Sequence, residues 1–293
     1  MIVTSETSSG FIDFKVSVAM ITFNHEHFIA QAIESVLMQQ TDFDYELVIA
    51  EDCSTDGTRA IVQAYKDRYP SRIRLLLPEQ NQGMNANFVA TLNACRGKYI
   101  AILEGDDYWI DPLKLQKQVI FLERNPEFVG CFHNTEERYE ESIKASTLYC
   151  SFKHAMSISF KDLSYANLIP TCSVILVKKY IINLPQWFSK MPMGDWPLHL
   201  INAQFGDYWY IPHVMGVHRL TTTSTWALQD QKRNIQFVLD AYNLMITGFS
   251  HKLELAELLK KGKKKFILTH KPHWYIKNYR FIKKLLIEMF NVN

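Results

Sequence analysis

Glu104, Asp106 and Asp107 place three carboxylates within four residues, directly after the apolar run Tyr99-Ile100-Ala101-Ile102-Leu103. A short apolar run of this type reads as a buried strand. Like charges crowded at the end of such a strand repel one another and are poorly solvated, so each is driven to take up a proton. A divalent cation with oxygen ligands removes the conflict. The segment therefore reads as a metal site at the carboxyl end of a sheet strand, where open α/β sheets place their ligands. Taken alone, an Asp-Asp pair is more often an acidic turn, so its neighbours decide.

Two further polar loops follow strand-like runs. Thr22-Phe23-Asn24-His25-Glu26 closes a β-branched, apolar stretch over 15–23. Glu51-Asp52-Cys53-Ser54-Thr55-Asp56-Gly57-Thr58 follows a second short strand over 46–50. Helical spacing or capping chemistry predicts helices over 26–40, 56–69, 85–95 and 113–125, and further strands are expected over 72–77, 98–103 and 128–133. Strands alternating with helices imply βαβ units and a mainly parallel sheet flanked by helices. In such a sheet the three loops sit side by side along one edge and together describe a site. Residues 136–141 read as an acidic, exposed stretch and 143–170 as loop with a short helix. Residues 171–177 are apolar and extended, 195–203 suggest a helix, 208–217 a strand and 229–249 a long amphipathic helix.

The bulk numbers set the class. A chain of 293 residues, 47% hydrophobic and 21% charged, suits one large α/β domain or a domain with an appendage. A net charge of +2 is too balanced to argue for a nucleic-acid partner. Five scattered cysteines with no Cys-x-x-Cys pair fit reduced thiols better than a disulfide framework or a zinc site. Residues 1–13 show no basic segment followed by an apolar core, so no secretory leader is expected. No apolar run approaches the roughly 20 residues that span a bilayer. The expected location is cytoplasmic, with peripheral contact at the inner face of the cytoplasmic membrane open to the C-terminal segment.

Four motifs in order, Thr22-Phe23-Asn24, Glu51 to Thr58, Asn81 to Phe88 and Leu103 to Trp109, closely resemble the inverting family 2 glycosyltransferases of the GT-A fold. The resemblance covers 16–132 well and runs more loosely to 225. It implies a nucleotide-sugar-binding catalytic domain over 1–225 and a helical basic-aromatic extension over 226–293.

The resemblance also implies roles. The first loop, with Thr22, Phe23, Asn24 and Glu26, lines the nucleotide pocket. Asp52 matches the carboxylate that accepts from the base, usually uracil, a task suited to an acceptor-only group. Asn81 and Gly83 match the loop that approaches the diphosphate and sugar, and Asn87 stands where Arg is commoner. Glu104-Gly105-Asp106 occupies the DxD position, with Glu104 toward the ribose or sugar. Asp106, then Asp107, and His218 would hold Mn²⁺ or Mg²⁺, with His213 as the competing histidine. Asp195 matches the catalytic base, at a position where a simple helix cap is the alternative. Trp196 can stack on a sugar, Gly194 replaces the usual Glu, and Arg219 is placed to meet the diphosphate. The implied partners are a nucleotide-diphosphate sugar donor, first of all a UDP-sugar, and a glycan or lipid-linked glycan acceptor in bacterial surface polysaccharide synthesis.

Two rivals share parts of this pattern. A sugar nucleotidyltransferase also uses an α/β sheet with metal-bound carboxylates, but opens with a Gly-rich basic loop that Thr22-Phe23-Asn24-His25 lacks. A non-catalytic nucleotide-sugar binder would not need an intact acidic cluster together with Asp195. The C-terminal stretch is a separate signal: 252–284 carries eleven Lys or Arg against two acids, interleaved with Phe266, Trp274, Tyr275, Tyr279 and Phe281. Basic and aromatic residues on helices suit an anionic membrane surface, and packing on the core is the plain alternative.

Overall fold

A computed structural model of the protein describes residues 14–140, 144–221 and 231–270. The first half is built from β1 (Val16–Thr22), α1 (Ile29–Leu37), β2 (Tyr45–Glu51), α2 (Thr58–Arg68), β3 (Ile73–Leu76), α3 (Met84–Ala94) and β4 (Tyr99–Glu104). The four strands lie parallel in the order β3-β2-β1-β4. Period-two alternation splits each strand between two cores. Val16, Val18 and Met20 pack with Ile33 of α1 and Val62 of α2, whereas Ala19, Ile100 and Ile102 pack with Phe88 and Leu92 of α3 on the opposite face. Both faces are covered, as a parallel sheet requires.

The second half holds β5 (Tyr108–Trp109), α4 (Lys114–Arg124), β6 (Gly130–Tyr139), β7 (Thr147–Leu148), β8 (Met156–Ile158), α5 (Phe160–Leu163), β9 (Ile175–Val177), α6 (Asp195–Asn202) and β10 (Tyr208–Leu220). The sheet continues from β4 through β9, β6 and β10 to β5. Here β9 is antiparallel to β4 and β6, while β6 and β10 run parallel. Glu136 and Glu137, expected in an exposed stretch, are half-buried in β6 and pair with Val217 and His218 of β10, while Arg138 and Glu140 are exposed. The segment 143–170, expected as loop with a short helix, carries the short helix α5 and also the strands β7 and β8. Thr171–Ser173 forms a single 3₁₀ turn before β9.

Two long helices, α7 (Gln231–Gly248) and α8 (Leu253–His270), pack on the α3 face of the sheet. Tyr242, Met245 and Leu259 join the core there, and Phe266 packs against it. Gly262 lets α8 approach the backbone of Ser164, where a Cβ would lie 1.8 Å from the carbonyl oxygen. This half of the basic-aromatic stretch is therefore packed on the core. Trp274, Tyr275, Tyr279 and Phe281 lie outside the described residues, as does the expected boundary near 225. No described helix is long and apolar enough to cross a membrane.

The amino ends of the central strands are closed by a polar cluster. Ser17 donates to buried Glu46 (2.7 Å), and Arg96 donates to the same carboxylate through Nε (3.0 Å) and Nη2 (2.6 Å). Burial pushes the Glu46 carboxyl up, and hydrogen bonds from Arg96 and Ser17 outweigh it, so the group sits below its ordinary value.

Candidate functional site

The carboxyl ends of β1, β2 and β4 bring the three polar loops together. The first two are sewn to each other by side chains. Asn24 accepts from the Thr55 N–H (2.9 Å), Ser54 Oγ accepts from the Asn24 N–H (2.9 Å), and Glu26 accepts from the Gly57 N–H (2.7 Å). Asn24 and Cys53 both adopt left-handed backbone, with φ of 55° and 60°. Asn tolerates this conformation through local hydrogen bonds, whereas Cys53 holds it at a cost of about 1–2 kcal/mol. Such strain gathers where a site fixes the backbone.

Asp52 is buried, and its two oxygens accept from the backbone N–H groups of Gln82 (2.8 Å) and Gly83 (2.9 Å). Asn81 returns a bond to the Asp52 carbonyl (2.9 Å). The loop that enters α3 is thus hung on Asp52, and each oxygen retains a further lone pair. Gly83, at φ 83°, faces open space. Gly105 is needed for close approach: a Cβ there would stand 2.5 Å from Thr22 Oγ1. Thr22 is itself buried and contacts His25 (3.2 Å), while Phe23 is 40% exposed at the rim. Asn87 is placed differently from the expectation. It is buried on α3 and its amide donates to the Ala50 carbonyl (2.9 Å), so it fastens α3 to β2.

The acidic turn divides its carboxylates among three directions. Asp106 faces back to the first loop, 3.8 Å from His25 Nε2. Asp107 turns inward and is 1% exposed. One of its oxygens accepts from the Arg219 N–H (2.8 Å), the other is buried without an N–H or O–H partner, and the Cys172 thiol lies against the carboxylate. Burial pushes the Asp107 carboxyl up to about 6, against the pull of His218. Glu104 faces a cavity, and burial together with the charges of Asp106, Asp107 and Asp195 pushes its carboxyl well above its ordinary value.

That cavity, of about 810 Å³, is lined by Glu104, Glu137, Asp195 and His218, and by Asn85 and Asn167. Asp195 is the first residue of α6, and the cap position belongs to Gly194. The carboxylate is held by Asn167 Nδ2 (2.6 Å) and Thr171 Oγ1 (3.3 Å). A side chain at 194 would run into Phe88, whose ring carbon lies 2.8 Å from the Cβ position, so no Glu fits before Asp195.

His218 also lines the cavity, and its Nδ1 is buried without a partner. Its rival His213 is exposed. The partnerless oxygen of Asp107 and the partnerless nitrogen of His218 are ligand types that suit Mn²⁺. Among the described residues no group of three or more His, Cys, Asp or Glu is arranged to hold an ion.

Two residues expected to meet the donor also pack within the protein, and Trp196 still lines the cavity. Arg219 is 4% exposed; it donates to Glu140 (2.8 Å), to the Asp106 carbonyl (2.6 Å) and to Gln31, and lies over the rings of Tyr108 and Phe28. Its guanidinium is used in holding the acidic turn and does not reach outward to a diphosphate. Trp196 is 3% exposed, donates its ring N–H to Leu163 (2.8 Å) and meets Tyr242 edge-on, so it anchors α6 more than it presents a stacking face.

Three neighbours of Asp195 were missed. Asn167 and Thr171 lie in a stretch without periodicity, and nothing local marks them as partners of Asp195. His199 sits one turn after Asp195, fully buried, with both ring nitrogens unpartnered. Burial pushes it down to about 4, and Asp195 raises it by less. An i, i+4 spacing from an acid was the available signal.

Comparison with known proteins agrees with this geometry. The family described as Glycosyl transferase family 2 matches residues 17–181. An uncharacterized protein of Mycobacterium tuberculosis is 38% identical over 212 residues, 72% of this chain and 60% of that protein. The chain thus spans about three-fifths of that relative's length. A Bacillus subtilis protein named for teichuronic acid biosynthesis, the glycosyltransferase TuaG, is 30% identical over 66% of this chain and 74% of its own. WfgD of Escherichia coli, named as a UDP-Glc:α-D-GlcNAc-diphosphoundecaprenol β-1,3-glucosyltransferase, is 38% identical over 39% of this chain and 43% of its own. Among solved structures, S. aureus TarS 1–349 with UDP superposes with a TM-score of 0.65 at 17% identity, covering 87% of this chain and 72% of that one. The mannosyltransferase PcManGT of Pyrobaculum calidifontis, with GDP-Man and Mn²⁺, gives 0.62 at 16%, covering 91% and 77%. At these identities the structures establish the shared GT-A fold.

Proposed function

Because the chain belongs to glycosyl transferase family 2, we propose that it moves a sugar, with inversion, from a nucleotide-diphosphate donor to a hydroxyl of a glycan or lipid-linked glycan. The observation that carries this reading is one cavity at the carboxyl edge of the sheet, holding Glu104, Asp195 and His218 together. Asp195 takes the proton of the acceptor hydroxyl, whose oxygen attacks the anomeric carbon as the bond to the diphosphate breaks. Asn167 and Thr171 keep the carboxylate oriented for that step. Asp52 and the first loop hold the base, with uracil the first candidate.

Asp107 and His218, with Asp106 at the rim, would hold Mn²⁺ or Mg²⁺. The ion supplies positive charge to the departing nucleoside diphosphate. The complexes named for TarS and PcManGT, with UDP and with GDP-Man and Mn²⁺, support a nucleotide and a divalent ion as ligands of this fold. The names of TuaG and WfgD support surface polysaccharide synthesis as the setting and a lipid diphosphate as one acceptor carrier. Contact of the basic C-terminal segment with the inner face of the membrane fits that setting.

The test is hydrolysis of UDP-glucose, UDP-N-acetylglucosamine, GDP-mannose and dTDP-glucose, each with and without Mn²⁺. The account expects metal-dependent release of one nucleoside diphosphate. Release of inorganic pyrophosphate from a nucleoside triphosphate and a sugar phosphate would instead make it a nucleotidyltransferase. Flotation with vesicles, with and without anionic lipid, tests the membrane contact; equal failure to bind both removes it.

A further inference from the structure

The cavity does not end at the catalytic carboxylates. Its far wall is α7 and α8, which contribute Phe237, Tyr242, Lys265, Phe266 and His270. The wall is fixed. Gly262 abuts Ser164, Tyr242 Oη donates to the carbonyls of Ser164 (3.1 Å) and Tyr165 (3.2 Å), and Phe266 stacks on His270 at 4.1 Å. Lys265 Nζ lies over the Tyr165 ring, 5.0 Å from its centre. No ion pair forms at Lys265 among the described residues, although Lys260 of the same helix pairs with Glu257.

The segment under this wall also serves the catalytic base. Tyr165 carries Lys265, and Asn167, two residues on, holds Asp195. The cavity is charged unevenly. The sheet edge and α6 give it Glu104, Glu137 and Asp195, and α8 gives it Lys265 and His270. Asp162, also in the lining, is engaged in capping α5 through Ser159.

We infer that α8 forms the outer half of the acceptor subsite and that Lys265 meets an oxyanion carried by the acceptor on the side away from the reacting hydroxyl. This rests on the glycosyltransferase reading above. A hydroxyl placed at Asp195 directs the rest of the acceptor toward α8, because the nucleotide loops occupy the other side. The ammonium on Tyr165 is a point charge free to pair with a phosphate or a carboxylate, and the aromatic wall offers faces for a sugar ring.

The experiment uses the full chain with UDP and Mn²⁺ present, and titrates three probes. These are octyl β-glucoside, octyl β-glucuronide, and decyl diphosphate-linked N-acetylglucosamine. Wild type should bind one of the two charged probes at least about ten-fold more tightly than the neutral one, and which one it prefers separates a carboxylate from a phosphate source. Lys265→Ala should abolish that difference and Lys265→Arg should retain most of it. Lys264→Ala, at an exposed neighbour outside the cavity lining, should leave it unchanged. Equal binding of all three probes by wild type, or an equal loss in Lys264→Ala, overturns the inference. If wild type hydrolyses a nucleotide sugar but shows no charge preference, the inference fails alone. If it neither binds nor hydrolyses one, both readings fail together.

Discussion

The two ends of the central sheet treat a buried carboxylate in opposite ways. At the amino end, Glu46 is 1% exposed and is met by Ser17 and by two guanidinium nitrogens of Arg96. At the carboxyl end, Asp107 is equally buried, yet one oxygen has no partner, and Glu104 faces three other carboxylates. The environments push the acids apart: Glu46 below its ordinary value, Asp107 up to about 6. The first arrangement stabilises the fold by itself. The second is left incomplete by the chain, and under the proposed function a cation and a diphosphate complete it. Folding alone would favour relieving the repulsion at Glu104 and Asp107, so its retention marks the end where the chemistry belongs.

The largest expected effect lies at the base. Asp195→Asn should lower sugar transfer by about 10²–10⁴-fold and leave nucleotide binding intact, as steady-state rates and calorimetry would read. Lost nucleotide binding would make Asp195 a part of the donor pocket instead. Arg219→Ala comes next. It strips a buried guanidinium from Glu140, Gln31 and the Asp106 carbonyl, and should cost on the order of 3–5 kcal/mol in urea unfolding. A stable Arg219→Ala protein with weakened diphosphate affinity would restore the direct ligand role.

At the amino end, Glu46→Gln should destabilise by about 3 kcal/mol near pH 7. Glu46 has a lowered folded value, so its contribution is full above the unfolded value near 4.3 and is lost as pH falls through the folded one. The variant's deficit should therefore shrink in acid, and a constant deficit from pH 7 to 3 would contradict the pairing. At the carboxyl end the sign reverses. Burial pushes the folded Asp107 carboxyl up to about 6, above the unfolded value near 3.9, so the metal-free protein should lose stability as pH rises through that window.

How much of this was legible follows a physical line. Local signals placed the βαβ half, because β1, β2 and β4 are apolar runs long enough to show and Ser54 to Thr58 announces a helix start. The acidic turn was visible because three charges after an apolar strand are costly anywhere else. Strand β9 falls within the run 171–177 that reads as extended, but three residues carry no period, and its place between β4 and β6 is a long-range fact. Arg219 and Trp196 look alike in sequence whether they face a ligand or a core, and only the rings and carbonyls around them decide. Asn167 meets Asp195 across 28 positions, which no spacing rule reaches.

The central claim is that one oxygen of Asp107 is kept for a metal-bound diphosphate, and thermal unfolding of wild type and Asp107→Asn, each with and without UDP plus Mn²⁺, tests it most directly. Without ligand the variant should melt a few degrees higher, because the buried charge is gone. With ligand at about 100 times the dissociation constant, wild type should gain roughly 2.7 kcal/mol and the variant little, so the order reverses. A variant that melts lower without ligand, or that gains as much from UDP and Mn²⁺ as wild type does, would contradict the account.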